Sequence, residues 1–263
     1  MKYVLVTGAY GGMGKSVTEE LANAGYGVFA LDKTVGEGSE NIFPLQADLT
    51  NMDDIVKAFE SVSAVTSELY AIVHFAGIYS LDSLVEMNEE KFCRIFNINL
   101  FGVYRVNKTF LPLLKRGSRI VITTSELAPL DPLPFTGIYA ITKSALDKYA
   151  YSLRMEVQLL GIKVSVLRPG AVDTGMLGVS TSELDKFCDN TKIYSCNAKR
   201  FKSIVDKVEA KKIPAKKIGL KTVKILAKKN PKQVYKINRN PLLLMLNALP
   251  RRMQTAIIRK ILK

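Results

Sequence analysis

Several residue types that would indicate other protein classes are scarce in this chain. Among its 263 residues there is no tryptophan, one histidine and three cysteines. The cysteines, Cys93, Cys188 and Cys196, are odd in number and lack metal-ligand spacing, so they predict neither a disulfide framework nor a metal site. No run reaches the roughly 18 to 20 apolar residues of a spanning helix, and the N-terminus lacks a signal-peptide pattern. We therefore expect a protein of a reducing compartment, the cytoplasm.

Acidic residues are scarce only in the last part of the chain. Residues 1–191 carry 17 basic and 22 acidic side chains, whereas residues 192–263 carry 21 basic and 2 acidic ones. The formal net charge of +14 thus combines a C-terminal segment of +19 with a remainder of −5. Such an excess predicts an anionic partner. Few aromatic residues accompany these cations, so we do not expect nucleic acid to be that partner.

Short apolar runs alternate with helical patterns over the first two thirds of the chain. The runs are nearly continuous, as in parallel strands buried on both faces, and they lie at 3–7, 26–31, 41–45, 70–77, 119–125 and 162–170. Helical patterns lie between them, at 14–24, 52–66, 88–114 and 138–160. This order predicts an α/β fold with a single doubly wound Rossmann domain, whose ligands bind at the carboxyl ends of the strands of a parallel sheet.

The alternation of strands and helices is expected to stop after residue 170. We expect one domain over residues 1–263. Its core would span residues 1–175, and residues 176–263 would form a substrate-covering part and a basic helical C-terminal extension.

A glycine-rich turn, TGAYGGMG at residues 7–14, joins the first strand to the first helix. Glycine lets the backbone approach a pyrophosphate closely, and the free N–H groups of a helix N-terminus point at it. The sequence GKS at 14–16 also resembles part of a P-loop, but Ala9 stands where that motif has its first glycine. The turn therefore predicts a dinucleotide site in preference to a triphosphate site.

Asp32 stands at the end of the second predicted strand, 24 residues after Gly8. A carboxylate in this place accepts hydrogen bonds from the ribose hydroxyls of NAD and repels the 2′-phosphate of NADP. Lys33 follows directly and would weaken this preference. We expect NAD, with NADP as the less favoured cofactor.

Tyr139 and Lys143 lie four residues apart in a helical pattern, so their side chains share one face. A nearby ammonium stabilises a phenolate, which would lower the pKa of the tyrosine and let its oxygen exchange a proton near neutral pH. Ser125 ends a predicted strand 14 residues before the tyrosine. Its hydroxyl could polarise a substrate carbonyl beside Tyr139.

These segments together resemble the short-chain dehydrogenase/reductase family. The resemblance rests, in the family's order over about 175 residues, on TGAYGGMG, Asp48 in ADLTN, HFAG at 74–77, Asn99 in NINLFG, Ser125, YAITK, and RPGAVDT at 168–174. It implies hydride transfer between an alcohol and a carbonyl. His74 departs from the family's usual NNAG, and we expect it to be packed and hydrogen-bonded; the alternative is a group that titrates near pH 6.5 beside the cofactor.

The resemblance implies a role for each matching residue. Tyr139 would be the general acid/base, and Ser125 would position the reacting oxygen. Lys143 would lower the pKa of the tyrosine and bind the nicotinamide ribose, and Asn99 would hold a water that relays protons. The implied cofactor-binding residues are Gly8, Gly12, Met13, Gly14, Asp32, Asp48, Leu49, Ala76, Gly77, Tyr139, Lys143, Pro169, Gly170, Val172 and Thr174.

The segments expected around the substrate contain few polar side chains. Their apolar residues are Leu127, Ala128, Pro129, Leu130, Leu133, Pro134, Phe135, Met176, Leu177 and Val179. If these residues line a pocket, it suits a lipophilic alcohol such as a hydroxysteroid or a retinoid; the alternative is that they only pack the covering loop. The segment SELAPLDPLPFTGIYAITKSAL also resembles steroid and retinol dehydrogenases of the family.

Two other functions stay open, together with the state of assembly. One is a cofactor-binding sensor or scaffold of the same fold. The other is a membrane-surface-associated protein, because the apolar run LLLMLNAL at 242–249 lies among cations and suits a membrane interface. A packed C-terminal helix or an oligomer contact would explain that run equally well. The family usually forms dimers or tetramers, so we expect a homodimer or a homotetramer.

Overall fold

The computed structural model describes residues 1–207 and 211–263, with the side chains of all of these except 175–181 and 207. In chain order its strands are β1 (Lys2–Thr7), β2 (Tyr26–Asp32), β3 (Ile42–Gln46), β4 (Leu69–His74), β5 (Leu114–Thr123), β6 (Lys163–Pro169), β7 (Val172–Asp173), β8 (Ile213–Pro214) and β9 (Val234–Ile237). Seven of them form one parallel sheet in the order β3-β2-β1-β4-β5-β6-β9. Strands β7 and β8 form a separate parallel pair.

Ten α-helices connect and follow the strands in the described part of the chain. They are α1 (Gly12–Asn23), α2 (Met52–Val65), α3 (Glu89–Phe96), α4 (Gly102–Phe110), α5 (Gly137–Val157), α6 (Gly175–Asn190), α7 (Ser195–Lys207), α8 (Lys216–Ala227), α9 (Pro241–Asn247) and α10 (Arg251–Leu262). The single helix predicted at 88–114 is interrupted. A π-helical segment, Asn97–Phe101, separates α3 from α4, and a 3-10 turn, Leu111–Leu113, follows α4.

The sheet has an apolar core on each face, which explains why its central strands are apolar at nearly every position. On one face, Leu5 and Phe29 pack with Ile55 of α2, Phe110 of α4 and Leu146 of α5. The other core contains alternate residues of the same strands, together with buried residues of α1 and α8: Val4, Val6, Val28, Val17, Leu21, Ile218 and Ile225. The predicted α/β fold with one doubly wound sheet is confirmed.

The prediction that the alternation stops after residue 170 is wrong. Helix α8 buries Ile218, Thr222 and Ile225 and packs along α1, and β9 then pairs in parallel with β6. Both elements were hidden in the sequence, because lysines cover the outer face of α8 and β9 has only four residues. Residues 216–237 thus belong to the central layers, and the excess of positive charge there covers a packed helix.

The strand order reverses between β1 and β4, which are adjacent in the sheet. Ligands of doubly wound sheets bind in the crevice at such a point. The chain leaves β1 at Gly8 and leaves β4 at Phe75, so the glycine-rich turn and the HFAG segment meet there.

Candidate active site

The glycine-rich turn has no room for side chains at two of its positions. Gly8 has a φ of +68°, and a Cβ atom there would lie 2.5 Å from the backbone nitrogen of Ala76. A Cβ atom at Gly14 would lie 1.9 Å from the carbonyl oxygen of Gly8. The first turn of α1 therefore packs closely against the end of β1 and presents bare backbone to the crevice. This cradle fits a pyrophosphate, which binds to backbone N–H groups at a helix N-terminus.

A cavity of about 810 Å³ opens over this turn. It has the size of a pocket for a large organic ligand. Ten of the residues expected to bind cofactor line it: Gly8, Gly12, Met13, Gly14, Asp32, Asp48, Leu49, Ala76, Gly77 and Thr174. They come from five separate segments of the chain. The fold thus brings together residues that the sequence could only match to a motif.

Asp32 lies at the rim of the cavity with its carboxylate fixed by backbone donors. The N–H groups of Tyr10 and Lys33 donate to its two oxygens at 2.9 and 2.7 Å. The ammonium of Lys33 points away to Asp48, at 2.7 Å. This ion pair, with hydrogen bonds from Thr50, lowers the pKa of Asp48 to about 2. Asp48 therefore stays ionised, and the charge of Lys33 is engaged in that pair.

The far wall of the cavity was missed by sequence reasoning. It consists of Thr50 and of residues on α3, the π-helical segment and α4: Glu90, Cys93, Arg94, Asn97, Ile98, Phe101 and Arg105. The guanidinium of Arg105 donates to the carbonyl oxygen of Leu49 at 3.1 Å, which ties this wall to the loop after β3. In the sequence these residues form an ordinary amphipathic helix pattern. Only the tertiary structure shows which face of the helix lines the cavity.

Ser125, Tyr139 and Lys143 lie together at the carboxyl end of β5, as their spacing predicts. The side chain of Ser125 is near enough to Tyr139 to lower the pKa of its phenol. The Lys143 Nζ atom lies 5.7 Å from the centroid of the Tyr139 ring and donates to the carbonyl oxygen of Thr123 at 3.3 Å. Ser125 and Lys143 are buried, whereas Tyr139 is partly exposed. A substrate can therefore reach the tyrosine, while the two supporting groups are shielded.

Burial controls the protonation of this group. Desolvation and the neighbouring Tyr79, whose ring centroid is 4.8 Å away, raise the pKa of Tyr139 above its usual value, although the nearby hydroxyl of Ser125 acts in the opposite direction. Desolvation also lowers the pKa of Lys143 to about 8. The spacing of Tyr139 and Lys143 predicted a lowered pKa for the tyrosine, and this prediction is wrong for the structure. The pKa is raised because the cost of burying a phenolate exceeds the stabilisation by a distant ammonium.

Asn99 lies in the π-helical segment and is fully buried. Its amide group forms two hydrogen bonds with the backbone of Ile78 and one with the hydroxyl of Thr142, at 3.2 Å. A Cβ atom placed on Gly77 would lie 3.1 Å from Asn99 Oδ1 and 3.4 Å from Lys143 Nζ. Asn99 is thus close to the lysine, and its amide positions the loop after β4.

Five of the expected cofactor residues lie outside the cavity lining: Tyr139 and Lys143, described above, and Pro169, Gly170 and Val172. Pro169 accepts a hydrogen bond at its carbonyl oxygen from the N–H of Glu126, at 2.9 Å. A Cβ atom at Gly170 would lie 1.9 Å from the carbonyl oxygen of Asn238. Val172 is buried in β7. Pro169 and Gly170 thus lie beside Glu126, the residue after Ser125. Val172 packs in the core beneath the sheet, two residues before Thr174, which meets Gly12 of the glycine-rich turn.

His74 is buried at the end of β4. Its Nε2 atom is 2.9 Å from the side-chain oxygen of Asn107, and its Nδ1 atom is 3.4 Å from the hydroxyl of Thr7. Desolvation lowers the pKa of His74 to about 4. The structure supports the packed, hydrogen-bonded role and not a group that titrates near pH 6.5.

Two of the expected substrate-wall residues have packing roles. Leu133 and Phe135 pack on a small apolar cluster of Leu81, Leu184, Phe187, Ala198, Phe201 and Leu262. The ring of Phe135 lies 4.6 Å from that of Phe187 and 5.5 Å from that of Phe201. These contacts attach the covering helices to the loop before α5. The side chains of Met176, Leu177 and Val179 lie outside the described residues.

Taken together, the bare glycine turn, the carboxylate of Asp32 and the group of Ser125, Tyr139 and Lys143 fit a dinucleotide-dependent oxidoreductase site. Comparison with known proteins leads to the family. The short chain dehydrogenase family matches residues 2–185, and the chain belongs to it.

Curated relatives carry several activities. The 3-ketodihydrosphingosine reductase of Bacteroides thetaiotaomicron is 27% identical over 87% of this chain and 84% of that protein. Estradiol 17-beta-dehydrogenase 2 of Mus musculus is 34% identical over 67% of this chain, and mitochondrial D-beta-hydroxybutyrate dehydrogenase of Rattus norvegicus is 32% identical over 64%. The chain spans 50% and 54% of the lengths of these last two relatives.

Solved structures share the fold. A short-chain dehydrogenase from Streptomyces avermitilis has a TM-score of 0.75 at 19% identity, covering 99% of this chain and 96% of that one. An alcohol dehydrogenase from Thermococcus sibiricus complexed with 5-hydroxy-NADP has a TM-score of 0.72 at 24% identity, covering 90% and 95%. The family and its named relatives make the protein an NAD(P)-dependent oxidoreductase that acts on CH–OH groups.

Among the residues that the structure describes, none of the helices has the length and apolarity needed to cross a bilayer.

Proposed function

We propose that the protein interconverts a lipophilic alcohol, such as a hydroxysteroid or a retinoid-like alcohol, and its carbonyl with NAD. The observation that carries this proposal is the group of Ser125, Tyr139 and buried Lys143 at the end of β5, together with a cavity of about 810 Å³ that Asp32 helps to line. NAD, held by the glycine-rich turn and Asp32, would supply the acceptor of the hydride from the alcohol carbon, and NADH would supply the hydride for the reverse reaction.

The side chains of the protein handle the proton. Tyr139 Oη removes the hydroxyl proton of the alcohol during oxidation and returns it during reduction. Ser125 Oγ donates a hydrogen bond to the reacting oxygen and holds it beside the tyrosine. Lys143, with its pKa lowered to about 8, is still mainly cationic at neutral pH, and its charge favours the phenolate form of Tyr139 during the reaction. Asn99 keeps the loop after β4 in place beside the lysine.

The preference for NAD rests on the charges around Asp32. Its carboxylate is held by two backbone N–H groups, so it cannot easily turn away from a 2′-phosphate. The nearest cation, Lys33, is paired with Asp48. A 2′-phosphate would therefore meet a fixed negative charge, whereas the two ribose hydroxyls of NAD could donate to it.

The lipophilic substrate is supported by the residues near Ser125 and by the relatives. The loop from Leu127 to Phe135 is largely apolar, with Asp131 engaged by Arg251 at 2.9 Å. Two relatives, an estradiol dehydrogenase and a 3-ketodihydrosphingosine reductase, are named for lipophilic substrates. A third is named for hydroxybutyrate, a small hydroxy acid.

A homodimer or homotetramer is the assembly we propose. Apolar side chains are exposed on α4, its preceding π-helical segment and α5, namely Phe101, Tyr104, Tyr151 and Met155, each about half exposed. Burying such a surface against a second copy would give an isologous contact. Light scattering of the purified protein should give a mass of two or four chains, and a mass of one chain would contradict this assembly.

The test of the function is a substrate panel read by absorbance of the reduced nicotinamide. Hydroxysteroids, retinol and long-chain secondary alcohols are compared with hydroxybutyrate and ethanol, each with NAD and with NADP. The proposal predicts that kcat/KM is at least tenfold higher for a lipophilic alcohol and for NAD. Turnover of hydroxybutyrate alone, or binding of NADH without any turnover, would contradict it; the latter result would favour a sensor or scaffold.

A further inference from the structure

Helix α10 has three distinct faces. Gln254, Ile258 and Leu262 face the protein, and the last two pack in the apolar cluster with Phe201. An apolar row follows beside them at spacing i, i+4 and i+8, Met253, Ile257 and Ile261, of which the first and last are each 51% exposed. On the remaining side, Arg252, Arg259, Lys260 and Lys263 line a shallow surface groove together with Thr255 and Ala256.

The four cations of this groove have no ion-pair partner among the residues that the structure describes. Arg251 differs, since it pairs with Asp131. Helix α10 contains no acidic residue at all. A row of exposed apolar side chains beside unpaired cations is the pattern of a helix that lies in the headgroup region of an anionic bilayer.

The preceding helix exposes apolar side chains as well. On α9, Leu242 is 54% and Met245 is 68% exposed. Every residue of this helix before Asn247 is apolar. The exposed parts of α9 and α10 thus offer apolar tips for insertion and cations for phosphate groups, within a segment of strong positive charge.

This helix pair is attached beside the catalytic group. The N–H of Asn240, the residue before α9, donates to Glu126 Oε2 at 2.7 Å, and Glu126 directly follows Ser125. At the other end of α9, Asn247 Oδ1 accepts from the N–H of Asp131 at 2.6 Å. Helix α9 therefore lies along the loop that borders the substrate side of the site.

We propose that the exposed sides of α9 and α10 bind an anionic membrane surface, so that a lipophilic substrate passes to Tyr139 from the bilayer beside the loop at 126–131. The proposal deepens the function proposed above, because the passage of substrate rests on that function. Membrane binding itself depends only on α9 and α10. Two separate measurements can therefore test the two parts.

Binding is tested by cosedimentation of the full chain with vesicles of phosphatidylcholine containing 30% phosphatidylserine, compared with pure phosphatidylcholine. We expect binding to the anionic vesicles that weakens as salt is raised. The variant with Arg252, Arg259, Lys260 and Lys263 all changed to Gln should bind at least tenfold more weakly. Its matched control changes Lys217, Lys224, Lys228 and Lys229, four exposed lysines outside this helix pair, to Gln and should keep most of the binding.

The apolar contribution has its own variant pair. Leu242→Ser with Met245→Ser should weaken vesicle binding at least threefold, whereas Leu159→Ser with Leu160→Ser, which alters exposed leucines after α5, should not. Thermal unfolding of each variant verifies that it folds. Equal binding by both members of each pair, or no binding to anionic vesicles, would overturn the proposal; displacement by soluble phosphate or retention on RNA instead of vesicles would also overturn it.

Passage of substrate is read by turnover. For a lipophilic alcohol dissolved in anionic vesicles, the four-cation variant should show a raised KM, while its kcat/KM for a water-soluble alcohol should equal that of the wild type. Vesicle binding without turnover of any lipophilic alcohol would contradict the proposed substrate and leave the membrane contact standing. Turnover unaffected by the variant would contradict the passage from the bilayer.

Discussion

The side-chain amide of Asn99 is joined to the backbone of Ile78 in both directions. The N–H of Ile78 donates to Asn99 Oδ1 at 2.8 Å, and Asn99 Nδ2 donates to the carbonyl oxygen of Ile78 at 3.0 Å. This pair connects the π-helical segment to the loop after β4, which contains Gly77. The interruption of the helix at 97–101 therefore places an amide where it can satisfy a buried stretch of loop backbone.

Asn99→Ala should lower both stability and turnover. It leaves the N–H and C=O of Ile78 without partners, which costs about 1–3 kcal/mol, and it frees the loop beside Lys143. Urea unfolding and steady-state kinetics measure the two effects. Asn97→Ala is the matched control, because the side-chain oxygen of Asn97 is buried without a hydrogen-bond partner in the described structure. A similar loss of stability in both variants would contradict the role of the Asn99 amide.

Gly14→Ala should destabilise the protein even without cofactor. The new Cβ atom would lie 1.9 Å from the carbonyl oxygen of Gly8, and overpacking of this kind typically costs about 1–3 kcal/mol. Alanine favours helices by up to about 1 kcal/mol over glycine, which works against the loss. Gly11→Ala is the control, since its Cβ atom would be 3.4 Å from the same oxygen. Chemical denaturation should separate the two variants; equal midpoints would show that the turn relaxes freely.

The stability of the protein should depend on His74 between pH 6.5 and 4. Burial lowers the pKa of His74 to about 4 in the folded protein, whereas the unfolded chain takes up the proton near pH 6.5. Below pH 6.5 the unfolded state therefore binds more protons, and the free energy of unfolding falls by up to about 1.4 kcal/mol per pH unit until pH 4. The difference between wild type and His74→Asn, measured by denaturation across this range, should shrink as the pH falls. A constant difference would mean that the imidazole is already charged in the fold.

Asp32→Asn should shift the cofactor preference towards NADP. The substitution removes the negative charge that would repel a 2′-phosphate and leaves a weaker acceptor for the ribose hydroxyls. We expect the ratio of kcat/KM for NAD to that for NADP to fall at least tenfold. Glu40→Gln, which removes an exposed charge from the loop after β2, should leave the ratio unchanged. The same ratio in all three proteins would contradict the role given to Asp32.

The strands of the sheet could be predicted because burial on both faces makes them apolar without interruption. Strand β1 and the glycine turn after it were located within a residue or two. Strand β9 was missed because it is only four residues long and includes Lys236, and α8 was read as a basic appendage because its buried side is narrow. Both elements are stabilised by contacts with segments far away in the sequence, β6 for β9 and α1 for α8. The local sequence pattern does not reveal such contacts.

The part of the candidate site that could be predicted consists of residues whose side-chain chemistry few other residue types can provide, such as a phenol beside an ammonium. Asp32 and the group of Ser125, Tyr139 and Lys143 lie where their spacing placed them. The residues of α3 that line the cavity, including Arg94, belong to no motif in the sequence and so could not be predicted. The direction predicted from the sequence for the shift in the pKa of Tyr139 was also wrong, since that shift depends on burial and burial depends on the packing of distant segments.

The most direct test of the account is single-turnover and steady-state formation of reduced nicotinamide by Tyr139→Phe. The substitution removes the phenolic oxygen and keeps the ring, so we expect turnover to fall by about 10²- to 10⁴-fold while NADH binding, read by fluorescence, stays within about twofold. Tyr151→Phe, an exposed tyrosine on the same helix, is the matched control and should behave as the wild type. Undiminished turnover in Tyr139→Phe would contradict the assignment of this tyrosine as the acid/base.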